Sequence, residues 1–264
     1  TFWLLDVVWH AVTQRRRTFF FEVGDMSKKQ INKRIGTRAA RHPVRSTNLD
    51  GSWPCVVKKP VSIARQPGES LATVVQDDLT FAGGLRDSQA IEACRKVMAR
   101  EVRSKNSYFK MLCKANSSVT VERIHQELQK AADAGFEPDV VCVDYTDILA
   151  PPAGIHETRE KINENWKRLR AISQTFHCLL VVATQSDTDS YSRKTLGLEN
   201  FSDDRRKNDH VTGVVGINQT SEEKLAGIFR LNWIKRREGE ADMNRCVHVV
   251  GCLPLAQPAM LSTW

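Results

Sequence analysis

Apolar positions along the chain alternate between the period of a helix and the short continuous runs of buried strands. Apolar residues spaced three and four apart predict helices over residues 2–13, from 27 onward, 120–135 and 157–176. Short apolar runs predict strands over residues 18–23, 139–144 and 178–184. Ser27, with Gln30 three residues later, forms a capping box that marks the start of the second helix. Because helices and strands alternate, we predict an α/β fold with a mainly parallel sheet flanked by helices.

Two stretches depart from this alternation. Near the end, apolar segments at 211–217, 227–234 and 246–252 follow one another too closely for crossover helices, so we predict antiparallel strands at one edge of the sheet. Between residues 43 and 114, prolines and glycines interrupt the pattern. There we predict elements at 55–57 and 71–75 (strands), 87–103 (a helix capped by Asp87) and 108–113 (a strand). We interpret residues 1–264 as a single domain, with an elaboration at about 43–114.

Composition and charge narrow the class of protein. With 41% hydrophobic and 27% charged residues, the 264-residue chain is not collagen-like, low-complexity or wholly disordered. No apolar run approaches the roughly 20 residues of a membrane span. The seven scattered cysteines contain no CxxC pair, which argues against a disulfide framework or zinc knuckle and indicates a reducing cytosol. A net charge of +8 favours a polyanionic partner such as nucleic acid.

Polar residues follow three of the predicted strands. Glu22 and Asp25 follow the first, Asp144 ends the second, and Gln185 follows the third. Ligands of open parallel sheets bind beyond the carboxyl ends of the strands, so we expect these side chains at one edge. A nucleotide-hydrolysing site needs one acid to hold Mg²⁺, a second to activate water, and a polar group to sense the γ-phosphate. The sequence therefore predicts such a site.

The glycine-rich loop that usually cradles phosphates is missing from the sequence. No GxxxxGK[ST] motif occurs, and Gly83-Gly84 is followed by Leu-Arg. Thr1 stands directly before the first predicted helix, which is the place of the last Ser or Thr of such a loop. We therefore expect a fragment or processed chain that begins at the last residue of its own phosphate-binding loop.

Five segments together resemble a known family. They are Phe-Phe-Glu-Val-Gly-Asp-Met-Ser at 20–27, Val-Asp-Tyr at 143–145, Ala-Thr-Gln at 183–185, Ser-Asp-Asp-Arg at 202–205 with Asp209 following, and Ile-Lys-Arg-Arg-Glu-Gly at 234–239. Their order and spacing resemble those of DnaB-type replicative helicases, which are RecA-like ring ATPases, and especially of phage- or plasmid-borne members. The stretch from about 43 to 114 matches poorly.

This resemblance implies specific roles with ATP and Mg²⁺ as cofactors. Thr1 and Asp144 would serve the nucleotide and its Mg²⁺, and Gln185 would couple the γ-phosphate to the nucleic-acid loops. Lys235 and Arg237 would act in trans on the nucleotide of a neighbouring subunit, which implies a homo-hexamer. Since residues two apart on a strand point the same way, both cations can reach one phosphate. The catalytic base stays open between Glu22 and Asp25, because the family's Glu aligns with Asp25 whereas Glu22 reaches further by one methylene.

Nucleic-acid contacts are predicted in the long charged loop after Gln185. The basic candidates there are Arg193, Lys194, Arg205, Arg206 and Lys207. Such residues track phosphates without reading sequence. The leading hypothesis is a cytoplasmic motor, bacterial or from a phage-infected cell, that moves on single-stranded DNA and unwinds duplex. The alternatives are a RecA- or KaiC-like ATPase without unwinding, and a non-hydrolysing DNA-binding or assembly module.

Overall fold

The computed structural model describes residues 1–66, 69, 71–103, 107–152, 154, 157–186, 195–200, 205–240, 242 and 245–264. In these residues the α-helices are α1 Phe2–Thr13, α2 Lys28–Ala40, α3 Asp87–Val97, α4 Val121–Asp133, α5 Thr158–Thr175 and α6 Ser221–Ala226. The strands are β1 Thr18–Glu22, β2 Cys55–Ala64, β3 Thr73–Phe81, β4 Phe109–Cys113, β5 Val140–Asp144, β6 Leu179–Val182, β7 Gly213–Asn218, β8 Ile228–Arg236, β9 Cys246–Cys252 and β10 Gln257–Thr263.

The centre of the molecule is a four-stranded parallel sheet in the order β4-β1-β5-β6. Successive side chains of a strand point to opposite faces, and the three phenylalanines of β1 follow this rule. Phe19 and Phe21 pack with α4 and α5 on one face, whereas Phe20 packs with α1 and α2 on the other. The result is the predicted α/β architecture, with helices on both faces of the sheet.

The predicted antiparallel strands form a sheet of their own, in the order β10-β9-β8-β7. Between β6 and β7 lies a largely apolar cleft of about 650 Å³, with residues of α1 and α5 also in its lining. Strand β10 and the short helix α6 were not predicted. No helix among the described residues is long and apolar enough to cross a bilayer.

The stretch from 43 to 114 is more regular than predicted. Its two strands are longer than expected and form a hairpin, β2–β3, which packs through Cys55 and Val57 against Cys252 and Leu255. The third strand, β4, is an edge strand of the central sheet. The predicted helix is α3, which continues as one turn of π-helix over Met98–Val102 and has Arg86, not Asp87, at its N-cap.

Candidate active site

The first two predicted acids lie side by side at the carboxyl edge of the central sheet. Glu22 ends β1 and Asp144 ends β5, and the two residues are direct partners in the parallel register. Both are buried, with 0% and 2% of their surfaces exposed. The following turn is held by Glu22, whose Oε1 accepts from the backbone N–H groups of Asp25 at 2.7 Å and Met26 at 2.8 Å.

Each of these carboxylates keeps an oxygen in reserve. Glu22 Oε2 and Asp144 Oδ2 are buried and have no hydrogen-bond partner among the described residues. Burial raises the pKa of Glu22 and the negative charge of Asp144 adds to this rise, although the backbone N–H of Met26 opposes it. Buried carboxylate oxygens without donors are expected where a cation is to be bound, because leaving them unpaired is costly.

Thr1 and Asp25 complete the group. The Thr1 hydroxyl donates to Asp25 Oδ2 at 3.2 Å, and the Thr1 amino group lies 3.5 Å from Asp144 Oδ2. Asp25 is exposed, in contrast to Glu22. The structure thus brings together four of the residues predicted for the nucleotide site.

Arg34 is a cation of this site that the sequence analysis missed. It projects from α2, and its guanidinium lies 4.0 Å above the ring of Phe2. Burial lowers the pKa of Arg34, whereas the negative charges of Asp144, Asp25 and Glu22 raise it. The available signal was its position three residues after Ile31, on the buried stripe of the helix that starts at the turn.

Gln185 is reached through a third acid, Asp147, which lies in the turn after β5. The Gln185 backbone N–H donates to Asp147 Oδ2 at 2.9 Å, and the Thr184 hydroxyl donates to the same oxygen at 2.9 Å. Lys207 Nζ donates to Asp147 Oδ1 at 2.8 Å. Asp147 and its ion pair with Lys207 were not predicted, because no local pattern links residues sixty positions apart.

This ion pair corrects one nucleic-acid assignment. The Lys207 side chain is fully buried, so it cannot meet a phosphate backbone as predicted. Arg205 and Arg206 lie on the 3₁₀ turn Arg205–His210, which we call the 205–210 turn. Arg193 and Lys194 lie outside the described residues. The other basic candidates therefore stay predictions.

Lys235 and Arg237 lie at the end of β8 and bond to the same turn. Lys235 Nζ donates to the carbonyl of Asn208, and Arg237 Nη2 donates to the carbonyl of Asp209 at 2.9 Å. The two cations therefore hold successive carbonyls of the 205–210 turn, in keeping with the expectation that they point the same way.

The donor set fits Mg²⁺. Among the described residues no three His, Cys, Asp or Glu side chains come together as a metal cage. Mg²⁺ does not require one, because it usually keeps several waters and binds through one or two carboxylates plus substrate phosphates. The unpartnered oxygen of Asp144, near the Thr1 hydroxyl, matches that need.

No protein-family model and no curated protein matches the sequence. Solved structures do match, and they place the chain in the class of RecA-like ATPase folds. A separately solved ATPase domain of a DnaB-like replicative helicase matches with a TM-score of 0.64 at 12% identity, over 92% of this chain and 74% of that chain. A second DnaB-like replicative helicase, described with its interactions with primase, matches with the same TM-score and identity over 92% and 50%. The chain thus spans half the length of that second helicase chain, and it has the fold of DnaB-like replicative helicase ATPase domains.

Proposed function

We propose that this chain is a single RecA-like domain, the ATP-hydrolysing core of a ring motor that moves on single-stranded DNA and unwinds duplex DNA. The observation that carries the proposal is the pair of buried carboxylates, Glu22 and Asp144, at the end of two adjacent parallel strands. Each has an unpartnered oxygen. A site of this kind at this edge of a helicase ATPase fold suits a cation and a nucleotide.

In this proposal the residues of one chain divide the work. Asp144 and the Thr1 hydroxyl would hold Mg²⁺. The bound nucleotide supplies the phosphoryl group that passes to water, and the metal neutralises the charge that develops. Asp25 is the better candidate for the base, because a general base must reach the attacking water and Glu22 is fully buried. Glu22 instead fixes the turn that carries Asp25.

Lys235 and Arg237 are proposed to complete the neighbouring subunit's site in a homo-hexamer. In this chain they hold two carbonyls of the 205–210 turn. A phosphate would compete with those carbonyls for the same donors, since an ionic hydrogen bond is roughly twice as strong as a neutral one. Gln185 would sense the γ-phosphate, and Arg193, Lys194, Arg205 and Arg206 would follow the DNA backbone in a cytoplasmic motor.

The first experiment measures ATP hydrolysis with and without single-stranded DNA, and unwinding of a forked duplex, using the full-length product of the gene. Asp144→Asn should abolish both activities. The matched control is Asp78→Asn, an exposed acid on the β2–β3 hairpin, which should keep them. Hydrolysis without unwinding would favour the recombinase- or KaiC-like alternative. DNA binding without hydrolysis would favour the non-hydrolysing module.

A mixing experiment tests the trans arrangement. Arg237→Ala spoils what a subunit gives its neighbour, whereas Asp144→Asn spoils its own site. In rings mixed from equal amounts of both variants, about one quarter of the head-to-tail interfaces combine two intact halves. The mixture should therefore regain hydrolysis that neither variant has alone. A mixture that stays inactive would contradict the trans role.

A further inference from the structure

The buried Asp147–Lys207 ion pair belongs to no role considered so far. We propose that it is a positioning device that couples the nucleotide site to the nucleic-acid loop, by aiming Gln185 and closing that loop at its base. This inference rests on the proposed function. Asp147 and Lys207 are positioning residues in it, since both act through Gln185 and its loop.

The carboxylate of Asp147 gathers donors from separate parts of the chain. Its Oδ2 accepts from the Thr184 hydroxyl and the Gln185 backbone N–H, and its Oδ1 accepts from Lys207 Nζ. Lys207 Nζ also donates to the Thr184 hydroxyl at 3.3 Å, which closes the network. The ammonium lies 5.9 Å from the centroid of the Trp166 ring on α5. The network therefore has a defined geometry that a single contact would not impose.

The network joins two points that are far apart in sequence. Gln185 lies where the chain enters the predicted nucleic-acid loop, and Lys207 lies where the chain returns from it. Asp147 itself follows Asp144 by three residues, in the turn after β5. One carboxylate thus fixes the entry and the exit of the loop to the segment that carries the proposed magnesium ligand.

The chemistry of the pair makes it a sensitive connection. A charge buried without its partner is strongly disfavoured, so Asp147 and Lys207 stay together or the turn rearranges. An apolar pair of similar shape usually stabilises a fold equally well. An apolar pair, however, could not bond the Gln185 N–H or hold the Thr184 hydroxyl. The ionic pair thus adds direction, which is what a sensor residue requires.

The other side of the same turn meets the proposed trans-acting cations. Lys207 is followed by Asn208 and Asp209, whose carbonyls accept from Lys235 and Arg237. His210 Nε2 lies 2.8 Å from Asn163 Oδ1, which anchors the turn on α5. If Lys235 and Arg237 turn to a neighbour's phosphate, these carbonyls lose their donors. The effect reaches Asp147 through the adjacent Lys207, so both nucleotide sites touch the loop through one turn.

The test compares DNA stimulation, defined as the hydrolysis rate with saturating single-stranded DNA divided by the rate without it. Asp147→Asn and Lys207→Met should each lower this ratio at least tenfold, and raise the DNA concentration needed for half stimulation. The matched control is Arg38→Met, which breaks a buried ion pair between α1 and α2. Its ratio should equal that of the wild type even if its thermal stability falls.

A double variant separates positioning from stability. Asp147→Leu with Lys207→Met replaces the pair by apolar groups, and it should recover a melting temperature near that of the wild type without recovering stimulation. Recovery of stimulation together with stability would mean a merely structural pair and would overturn the inference. So would full stimulation in both single variants. A wild-type protein without DNA stimulation would instead refute the proposed function, and the inference with it.

Discussion

The buried ion pair between Asp6 on α1 and Arg38 on α2 yields a quantitative prediction. Arg38 Nη1 lies 2.5 Å from Asp6 Oδ1 and also donates to the carbonyl of Ala256 at 3.2 Å. The side chains are only 9% and 12% exposed. The pair therefore ties the helix that starts at Thr1 to the helix that carries Arg34.

Arg38→Met should destabilise the fold by about 3 kcal/mol. Removing one partner of a buried pair costs about 3–5 kcal/mol, because the other charge is left without compensation. We expect the lower end, since His10 Nε2 lies 3.8 Å from Asp6 Oδ2 and can replace part of the lost interaction. The double variant Asp6→Leu with Arg38→Met leaves no charge behind, so it should lie within roughly 1 kcal/mol of the wild type.

The measurement is urea unfolding at pH 7, followed by circular dichroism and extrapolated to water. A loss of about 3 kcal/mol corresponds to a melting temperature lower by roughly 6–12 °C for a domain of this size. The reasoning fails if Arg38→Met costs less than about 1 kcal/mol, which is the range of exposed pairs. It also fails if the double variant loses as much as the single one, because an uncompensated charge would then not be the cause.

Three further predictions concern the turn after β1. Asp25→Asn should lower the ATP hydrolysis rate by about 10²–10⁴-fold with little change in melting temperature, as expected for a general base; an unaffected rate, with loss instead in Glu22→Gln, would assign the base to Glu22. Because the pKa of Glu22 is raised above its ordinary 4.5, the folded state holds this proton more tightly than the unfolded chain does. The stability that this group contributes is present below pH 4.5 and is lost as the pH rises through the raised value, so Glu22→Gln should flatten that part of a stability profile against pH; an unchanged slope would contradict the shift. Ser27→Ala removes the side-chain acceptor of the capping box and should cost about 1 kcal/mol in chemical denaturation, whereas a loss below the error of the measurement would mean that the helix start is held by tertiary contacts alone.

Local signals predicted the parts of the fold that depend on local chemistry. The first helix was predicted with the bounds of α1, and the capping box of Ser27 and Gln30 is present with both of its hydrogen bonds. The strands of the central sheet were found because both faces of a parallel sheet are buried, which leaves continuous apolar runs.

The strands that escaped prediction, or were predicted too short, share a cause. Strand β2 contains Pro60 and β10 contains Pro258, and each strand has a shift of register at or beside its proline. A proline lowers the expectation of a strand, yet a bulge accommodates one without loss of a ladder bond. The apolar partners that stabilise the hairpin come from β9 and the residues after it, so no local pattern reports them.

At the site, the sequence predicted which acids end the strands but not how the remaining charges pair. Asp144 and Glu22 follow apolar runs, and the register of a parallel sheet brings them together. Lys207 was taken for an exposed cation because its neighbours in sequence are charged. Its burial depends on Asp147, whose approach only the folded chain creates.

The cleft between β6 and β7 bears on how this polypeptide behaves in solution. In the described part of the chain, β6 ends one sheet and β7 ends the other, and both border the same apolar space. Leu179, Val215 and Ile217 are each more than two-fifths exposed along it. Open strand edges with apolar side chains are templates for pairing with another extended segment. Purified by itself, this polypeptide is therefore expected to self-associate through the cleft, with aggregation that grows with concentration.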